Sequence, residues 1–411
     1  MSNDPLAHEV SPRTRGLFLK NLADFQTELA RIHAGFIPGL PVWEHRKEVP
    51  LFVFRSLRRV QDLRGRGREL GVSFAEMHLS GAVAGRELLD RLAAAPTIAD
   101  FLQAALDAVP AALVAAIDDY LKRNDNVYDL PSVPLLEADR DDLKAVRQWA
   151  AAALLVHTDK TGERPTPDYQ RSVLSLCADL ASLLQQHAVR SAPPVRSGRR
   201  TGRLPLPDSA LPLGFRLLEY GPDPMPKDNT YAHRERYHAV NFLQEVQAAD
   251  SCASLLFEAP DMPWEFYFDL SRHLWDEARH AMFGEKKLAD LGSSAAEAGL
   301  SSKAYAMRQT LAPHDRYAAL TTQEADAFPG KHRGLKDSLE HKDGVSAMAW
   351  SYDISDETQH VRFGSKWLPV LIERVGEPRS IEQVKADACN WRESVLAQVY
   401  KPVATKHGVQ R

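Results

Sequence analysis

The nine residues Asp276–Gly284, DEARHAMFG, recur as Asp356–Gly364, DETQHVRFG, about 80 residues later. Asp, Glu, His, Phe and Gly hold the same places in both copies. On a helix, positions i and i+3 share a face, so each Glu-x-x-His aims a carboxylate and an imidazole at one point. These are donors suited to iron, manganese or zinc. One such pair says little: Glu235–His238 has the same spacing and needs no special explanation. A helix that supplies two ligands also leaves a metal site incomplete, so neighbouring helices must supply the rest.

The sequence offers them at matching distances. Glu245 precedes Glu277 by 32 residues and Glu324 precedes Glu357 by 33, each the length of a helical hairpin. Both halves therefore read Glu, hairpin, Glu-x-x-His. Two Glu and two Glu-x-x-His pairs make up the ligand set of ferritin-like di-iron and di-manganese bundles. The fold class expected is all-α: a ferritin-like four-helix bundle with an additional N-terminal helical domain. The expected metal ligands are Glu245, Glu277, His280, Glu324, Glu357 and His360, holding two iron ions, with manganese or a mixed iron–manganese pair compatible with the same donors.

Residues 237–367 resemble a family of bacterial ferritin-like proteins grouped as a domain of unknown function. The likeness rests on His238 and on Glu245 with the following VQAAD. It continues through FYFDLSRHLWDEARH ending at His280 and through Glu324 followed by Pro329–Gly330. It closes on Asp356, Glu357, His360, Val361, Gly364 and Trp367. The family carries a further His two residues before its first Glu, where this chain has Leu243. A more distant likeness is to a tRNA hydroxylase with a similar di-iron bundle. The resemblance implies the fold and the ligands more than a reaction.

Residues beside the ligands have expected roles. Asp276 and Asp356 each precede a ligand Glu and point about 100° away from it, toward an adjacent helix, where each would accept the free N–H of a ligand His. His273, His238, Trp350, Gly284 and Gly364 are candidate site-lining residues. For the histidines, a hydrogen-bonded core position is the simpler expectation; for the glycines, close helix packing. Trp275, Trp350, Tyr352 and Tyr267 lie near the ligands in sequence and are expected as core aromatics before radical or electron-relay residues.

The rest of the chain reads as helix, with apolar residues recurring at three- and four-residue spacings. Residues 1–190 form an N-terminal helical domain, a candidate degenerate bundle. Its expected helices include one after Ser73 carrying Glu76, His78 and Glu87, and a long one from Thr97 kinked at Pro110. Asp141 starts the next, behind a Pro-containing turn. Residues 191–230 are rich in Pro, Gly, Ser and Arg and read as a linker or strap. Residues 231–376 form the di-metal bundle: one helix through Glu245 to about Glu258, another over Trp264–Leu291, a third carrying Glu324 and interrupted at Pro329–Gly330, and a fourth over Val345–Val375. Residues 377–411 are a C-terminal helix and tail.

Bulk properties remove several classes. The 411 residues carry a net charge of −4, which points neither to nucleic acid nor to a membrane surface. Cys177, Cys252 and Cys389 are far apart, so a disulfide framework, a zinc ribbon or a rubredoxin-type site is not expected. No signal peptide and no membrane-spanning run are expected, which fits the cytoplasm. The expected function is a di-iron oxygenase or oxidase using dioxygen, an external electron donor and a small organic substrate, in hydroxylation, N-oxygenation or desaturation. A homodimer is a candidate assembly. The alternatives are a ferroxidase or peroxide-handling protein and a helical scaffold without metal.

Overall fold

The computed structural model describes residues 11–123, 127–186, 211–218, 229–259, 261–301, 303–399, 403–405 and 408–410. The fold is all-α. Among the described residues two short strands, β1 (Val403–Thr405) and β2 (Gly408–Gln410), pair antiparallel near the C-terminus. Two compact units divide the chain. The first comprises Met1–Ile37, Leu51–Leu204 and Asp261–Phe268; the second comprises Pro38–Pro50, Pro205–Pro260 and Asp269–Arg411. The sequence suggested contiguous segments, whereas residues 38–50 group with the second unit and residues 261–268 with the first.

The first unit is built on α1 (Pro12–Phe36), most of α2 (Trp43–Glu69), α3 (Arg86–Ala93), α4 (Ile98–Gln103), α5 (Val109–Arg123), α6 (Ser132–Thr161), α7 (Pro167–Ala178) and α8 (Leu180–Gln185). From Phe18 to Phe36, α1 is buried almost all round, the pattern of a core helix. The expected helix after Ser73 is not formed across Glu76 and His78. Gly71 and Gly85 have φ of 80° and 75°, and the His78 N–H donates to the Met262 carbonyl at 2.9 Å, so this stretch satisfies its backbone outside a helix. The Thr97 side chain caps α4 through the Asp100 N–H. A π-turn, Ala104–Ala108, then joins α4 to α5 just before Pro110, so the irregularity is an inserted turn. By length and composition Ile98–Arg123 could cross a membrane, yet 61% of its most apolar window is buried inside the fold. The Pro-containing turn before Asp141 is the first turn of α6: Pro134 occupies a position whose N–H would have no helical acceptor anyway.

The second unit holds α9 (Tyr231–Gln244), α10 (Val246–Glu258), most of α11 (Trp264–Asp290), α12 (Ala295–Ala298), α13 (Lys303–Arg308), α14 (Pro313–Glu340), α15 (Gly344–Val375) and α16 (Ile381–Val399). The single helix expected over 231–258 is broken at Glu245, with φ −67° and ψ −13°. Side chains on either side of the break are tied to one segment: Gln244 donates to the Gly299 carbonyl at 3.1 Å, and Gln247 accepts from the Tyr305 N–H at 3.2 Å. By contrast, α14 runs unbroken through Pro329 and Gly330, correcting the expected interruption. Pro329 removes one N–H from the ladder, but α14 packs along both α15 and α16, and tertiary packing holds the helix.

α10 is buried nearly all round. Inside the same unit, the Arg46 guanidinium pairs with Asp250, both side chains being almost inaccessible. Of the expected linker, residues 191–210 and 219–228 lie outside the described residues. Leu211–Leu218 runs as an irregular strap whose Arg216 and Leu218 N–H groups donate to Ala296 and Leu300.

Candidate metal centre

Four helical segments of the second unit bring the repeated motif together. On α11, His273, Glu277, His280 and Gly284 fall at intervals of four, three and four; on α15, Asp353, Glu357, His360 and Gly364 repeat that register. Both sets therefore line one helix face. Glu245 enters from the α9–α10 break and Glu324 from the middle of α14.

All six expected ligands converge. One group is His273, Glu277, Glu324 and His360; the other is Glu245, Glu277, His280 and Glu357. Within each, one donor atom from every residue lies within 4.8 Å of the others. Glu277 belongs to both groups. His273 enters the first as a fourth donor, its Nε2 lying 2.8 Å from Glu324 Oε1 and 3.3 Å from Glu277 Oε1. It thus joins the ligand cluster and is more than the core histidine the sequence suggested.

The two repeats exchange their aspartates. His280 Nε2 lies 3.4 Å from Asp356 Oδ2, and His360 Nε2 lies 3.4 Å from Asp276 Oδ2. In both imidazoles Nδ1 faces the glutamates, 3.3 Å from Glu245 Oε2 for His280 and 3.3 Å from Glu277 Oε1 for His360. Each ring therefore has one nitrogen available to an ion while the other is oriented by a carboxylate, the arrangement that fixes a ligand tautomer. Arg279 donates to both aspartates, at 2.6 and 3.2 Å, and Arg272 does the same at 2.7 and 3.3 Å. The aspartates are thus neutralised outside the cluster, and their charge does not add to that of the glutamates.

Burial tests whether this is a cation site or a satisfied polar core. Both carboxylate oxygens of Glu277 are buried and make no hydrogen bond; the same holds for Glu324 Oε2, Glu357 Oε2, Asp353 Oδ2 and the Nδ1 atoms of His273 and His360. Buried polar atoms left without partners are costly and rare. So many acceptors, aimed together, fit a bound cation and do not fit a finished hydrogen-bond network. The donor set of carboxylate oxygen and imidazole nitrogen matches iron, manganese or zinc. Burial opposes ionisation throughout the cluster: the neighbouring His273, His280 and His360 hold the Glu277 carboxyl well below the usual range, whereas burial keeps those of Glu245 and Glu324 above it.

The other residues singled out from sequence divide clearly. A Cβ on Gly284 would stand 2.4 Å from the Ala239 carbonyl oxygen and 2.5 Å from the Leu243 nitrogen; one on Gly364 would stand 2.6 Å from Thr321 Cβ. Both glycines therefore serve close helix packing, and the departure at Leu243 falls at one of these contacts. Trp350 and His238 meet edge to face at 5.1 Å, with Phe242 4.5 Å from Trp350, forming an aromatic cluster. Tyr352 is exposed and Trp275 half-buried. Tyr267 belongs to the first unit, where its hydroxyl accepts from the Met262 N–H. His78 Nε2 lies 2.9 Å from Glu28 in a buried network with Arg31. Glu76 and Glu87 face solvent.

Sequence reasoning missed Lys331 and Asp353. The Lys331 ammonium donates to Asp353 at 2.7 Å and Glu357 at 2.8 Å and stands 4.0 Å from Glu245. Asp353 is fully buried, 3.5 Å from His280 Nδ1. The signal was present in the repeat: Asp353 precedes Glu357 by the same four residues that separate His273 from Glu277.

Residues 199–404, just over half of the chain, match the profile of a family described as "Protein of unknown function (DUF455)". The chain belongs to this family. The matched span contains every residue of both four-donor groups in this DUF455 chain. No curated protein and no solved structure matches it.

Proposed function

We propose that this DUF455 protein is a ferritin-like di-iron oxidoreductase that uses dioxygen to oxidise a small organic substrate. The observation that carries the reading is Glu277, whose two oxygens are buried and unbonded and which belongs to both four-donor groups. A pair of iron ions held there would bind and reduce dioxygen, chemistry that the protein side chains do not supply.

The side chains supply the setting. Glu245, Glu277, Glu324 and Glu357 offer four negative charges, which offset two divalent cations. His273, His280 and His360 add neutral donors. Asp276 and Asp356 hold the His360 and His280 rings so that Nδ1 faces inward, and Arg272 and Arg279 hold the aspartates. The side chains of Glu277, His273, His280, Glu357 and His360 are almost wholly buried, which strengthens every electrostatic interaction among them. An external electron donor and a cytoplasmic setting belong to the same proposal.

Iron reconstitution followed by metal analysis tests it, together with dioxygen uptake in the presence of candidate organic substrates. The expected result is close to two ions per chain and substrate-dependent uptake. Protein that stays metal-free after reconstitution overturns the reading; a loaded protein that oxidises ferrous ion alone would make it a ferroxidase.

A further inference from the structure

The repeat aligns Glu277 with Glu357 and Glu245 with Glu324, and two of the differences between the aligned halves bear on the donor groups. Four residues before the repeated Glu stands His273 in one half and Asp353 in the other. Seven residues after the upstream Glu stands Cys252 in one half and Lys331 in the other. In the second half the two substituted residues meet, the Lys331 ammonium bonding Asp353 at 2.7 Å. One half thus carries a histidine and a cysteine where the other carries an ion pair.

Resting on the di-metal reading, we infer that the two ion positions are unequal by construction: a tight one among His273, Glu277, Glu324 and His360, and a weak one among Glu245, Glu277, His280 and Glu357, where Lys331 holds a competing positive charge.

Three observations favour this order. His273 adds a second imidazole to the first group, which then has two nitrogen and two carboxylate donors; the second group has one imidazole. Lys331 touches Glu357 at 2.8 Å and approaches Glu245 to 4.0 Å, so two of the four donors in the second group already face a cation. A divalent ion entering there meets like-charge repulsion in a poorly screened site. Burial also differs: the Glu324 side chain is 6% exposed, and that of Glu245 is 19% exposed. The weak position is therefore also the one nearer solvent. Asp353 balances Lys331 in charge, and its second oxygen makes no hydrogen bond.

Calorimetric titration of the metal-free full chain with Mn²⁺, with free Mn²⁺ counted by electron paramagnetic resonance, tests this without any turnover. Wild type should bind two ions in two events separated by about tenfold or more in Kd. Lys331→Gln should tighten the second event by about tenfold and leave the first in place, while Lys331→Arg keeps it weak. His273→Ala should weaken the first event by about tenfold or more. Should Lys331→Gln unfold because Asp353 is left unpaired, the double variant Lys331→Gln/Asp353→Asn removes both charges of the pair and should still tighten the second event, though by less, because Glu357 is freed from the ammonium. Two ions binding with one affinity, or a second event unchanged in both Lys331 variants, overturns the inference while leaving the metal reading intact. No Mn²⁺ binding at all, in protein that also refuses iron, removes both.

Discussion

His280 reaches across the bundle to Asp356 of the other repeat, with Nε2 3.4 Å from Oδ2. His360 returns the contact to Asp276 at the same distance. Each half of the repeat thus orients the other's ligand. Replacing Asp356 with Asn leaves a group of the same shape but removes the charge that favours Nε2–H on His280. We expect Asp356→Asn to lower metal affinity by about 10–100-fold with little change in helix content, read by metal titration and circular dichroism. Unchanged affinity would mean the contact is only packing.

Glu277→Ala removes the one carboxylate shared by both four-donor groups, whereas Glu245→Ala affects only one. The expected outcome is loss of both ions in the first variant and retention of one in the second, measured by metal analysis after gel filtration. Two retained ions in Glu277→Ala would show that another residue joins the groups.

Gly284→Ala places a methyl group 2.4 Å from the Ala239 carbonyl oxygen, where backbone must move. Gly364→Ala meets the Thr321 side chain instead. Both should destabilise the second unit by about 1–3 kcal/mol, and Gly284→Ala should be the more severe. Thermal unfolding of the two variants decides the order.

Much of this was legible in the sequence because the repeat is conspicuous and the helical period is strict. Glu277, His280, Glu357 and His360 follow from a short motif whose spacing has one geometric meaning. Glu245 and Glu324 follow from hairpin length. Lys331 and Asp353 were missed because a lysine and an aspartate on helices ordinarily read as solvated surface, and only burial shows otherwise. The break at Glu245 escaped because no Gly or Pro marks it; it is held by Gln244 and Gln247 side chains bonded to residues more than fifty positions away. Conversely, Pro329–Gly330 predicted an interruption that packing of α14 against α15 and α16 overrides.

In the first unit, Asp139 is buried and accepts from Gln26 Nε2 at 2.6 Å. Burial, reinforced by Asp142, pushes its carboxyl up to about 7 from an ordinary value of 3.8. The folded state therefore holds this proton more tightly than the unfolded chain. The resulting stability is fully present below about pH 4 and is lost as pH rises toward 7. Asp139→Asn removes that dependence. Relative to wild type it should gain stability between pH 4.5 and pH 8, by up to about 4 kcal/mol at the upper limit. Urea unfolding at the two pH values gives the difference, and parallel pH profiles in the two proteins would sink the assignment.

Arg46 and Asp250 form a buried pair inside the second unit. Removing either partner takes a buried countercharge from the other. Asp250→Ala should therefore cost about 3–5 kcal/mol, well above the cost of an exposed pair such as Lys336–Glu340. A loss below 1 kcal/mol in denaturant unfolding would show that water reaches the guanidinium.

The joint at Glu245 gives the centre a mechanical asymmetry. Glu277, Glu324 and Glu357 ride on continuous helices, where moving a Cα means bending a rod. Glu245 rides on a hinge between two shorter rods, with ψ already relaxed to −13°. Three carboxylates thus form a stiff tripod, and the fourth is an adjustable leg. If the proposed ions are bound there, a change in ion radius or an extra ligand should be taken up by rotation at that joint, leaving the tripod undisturbed.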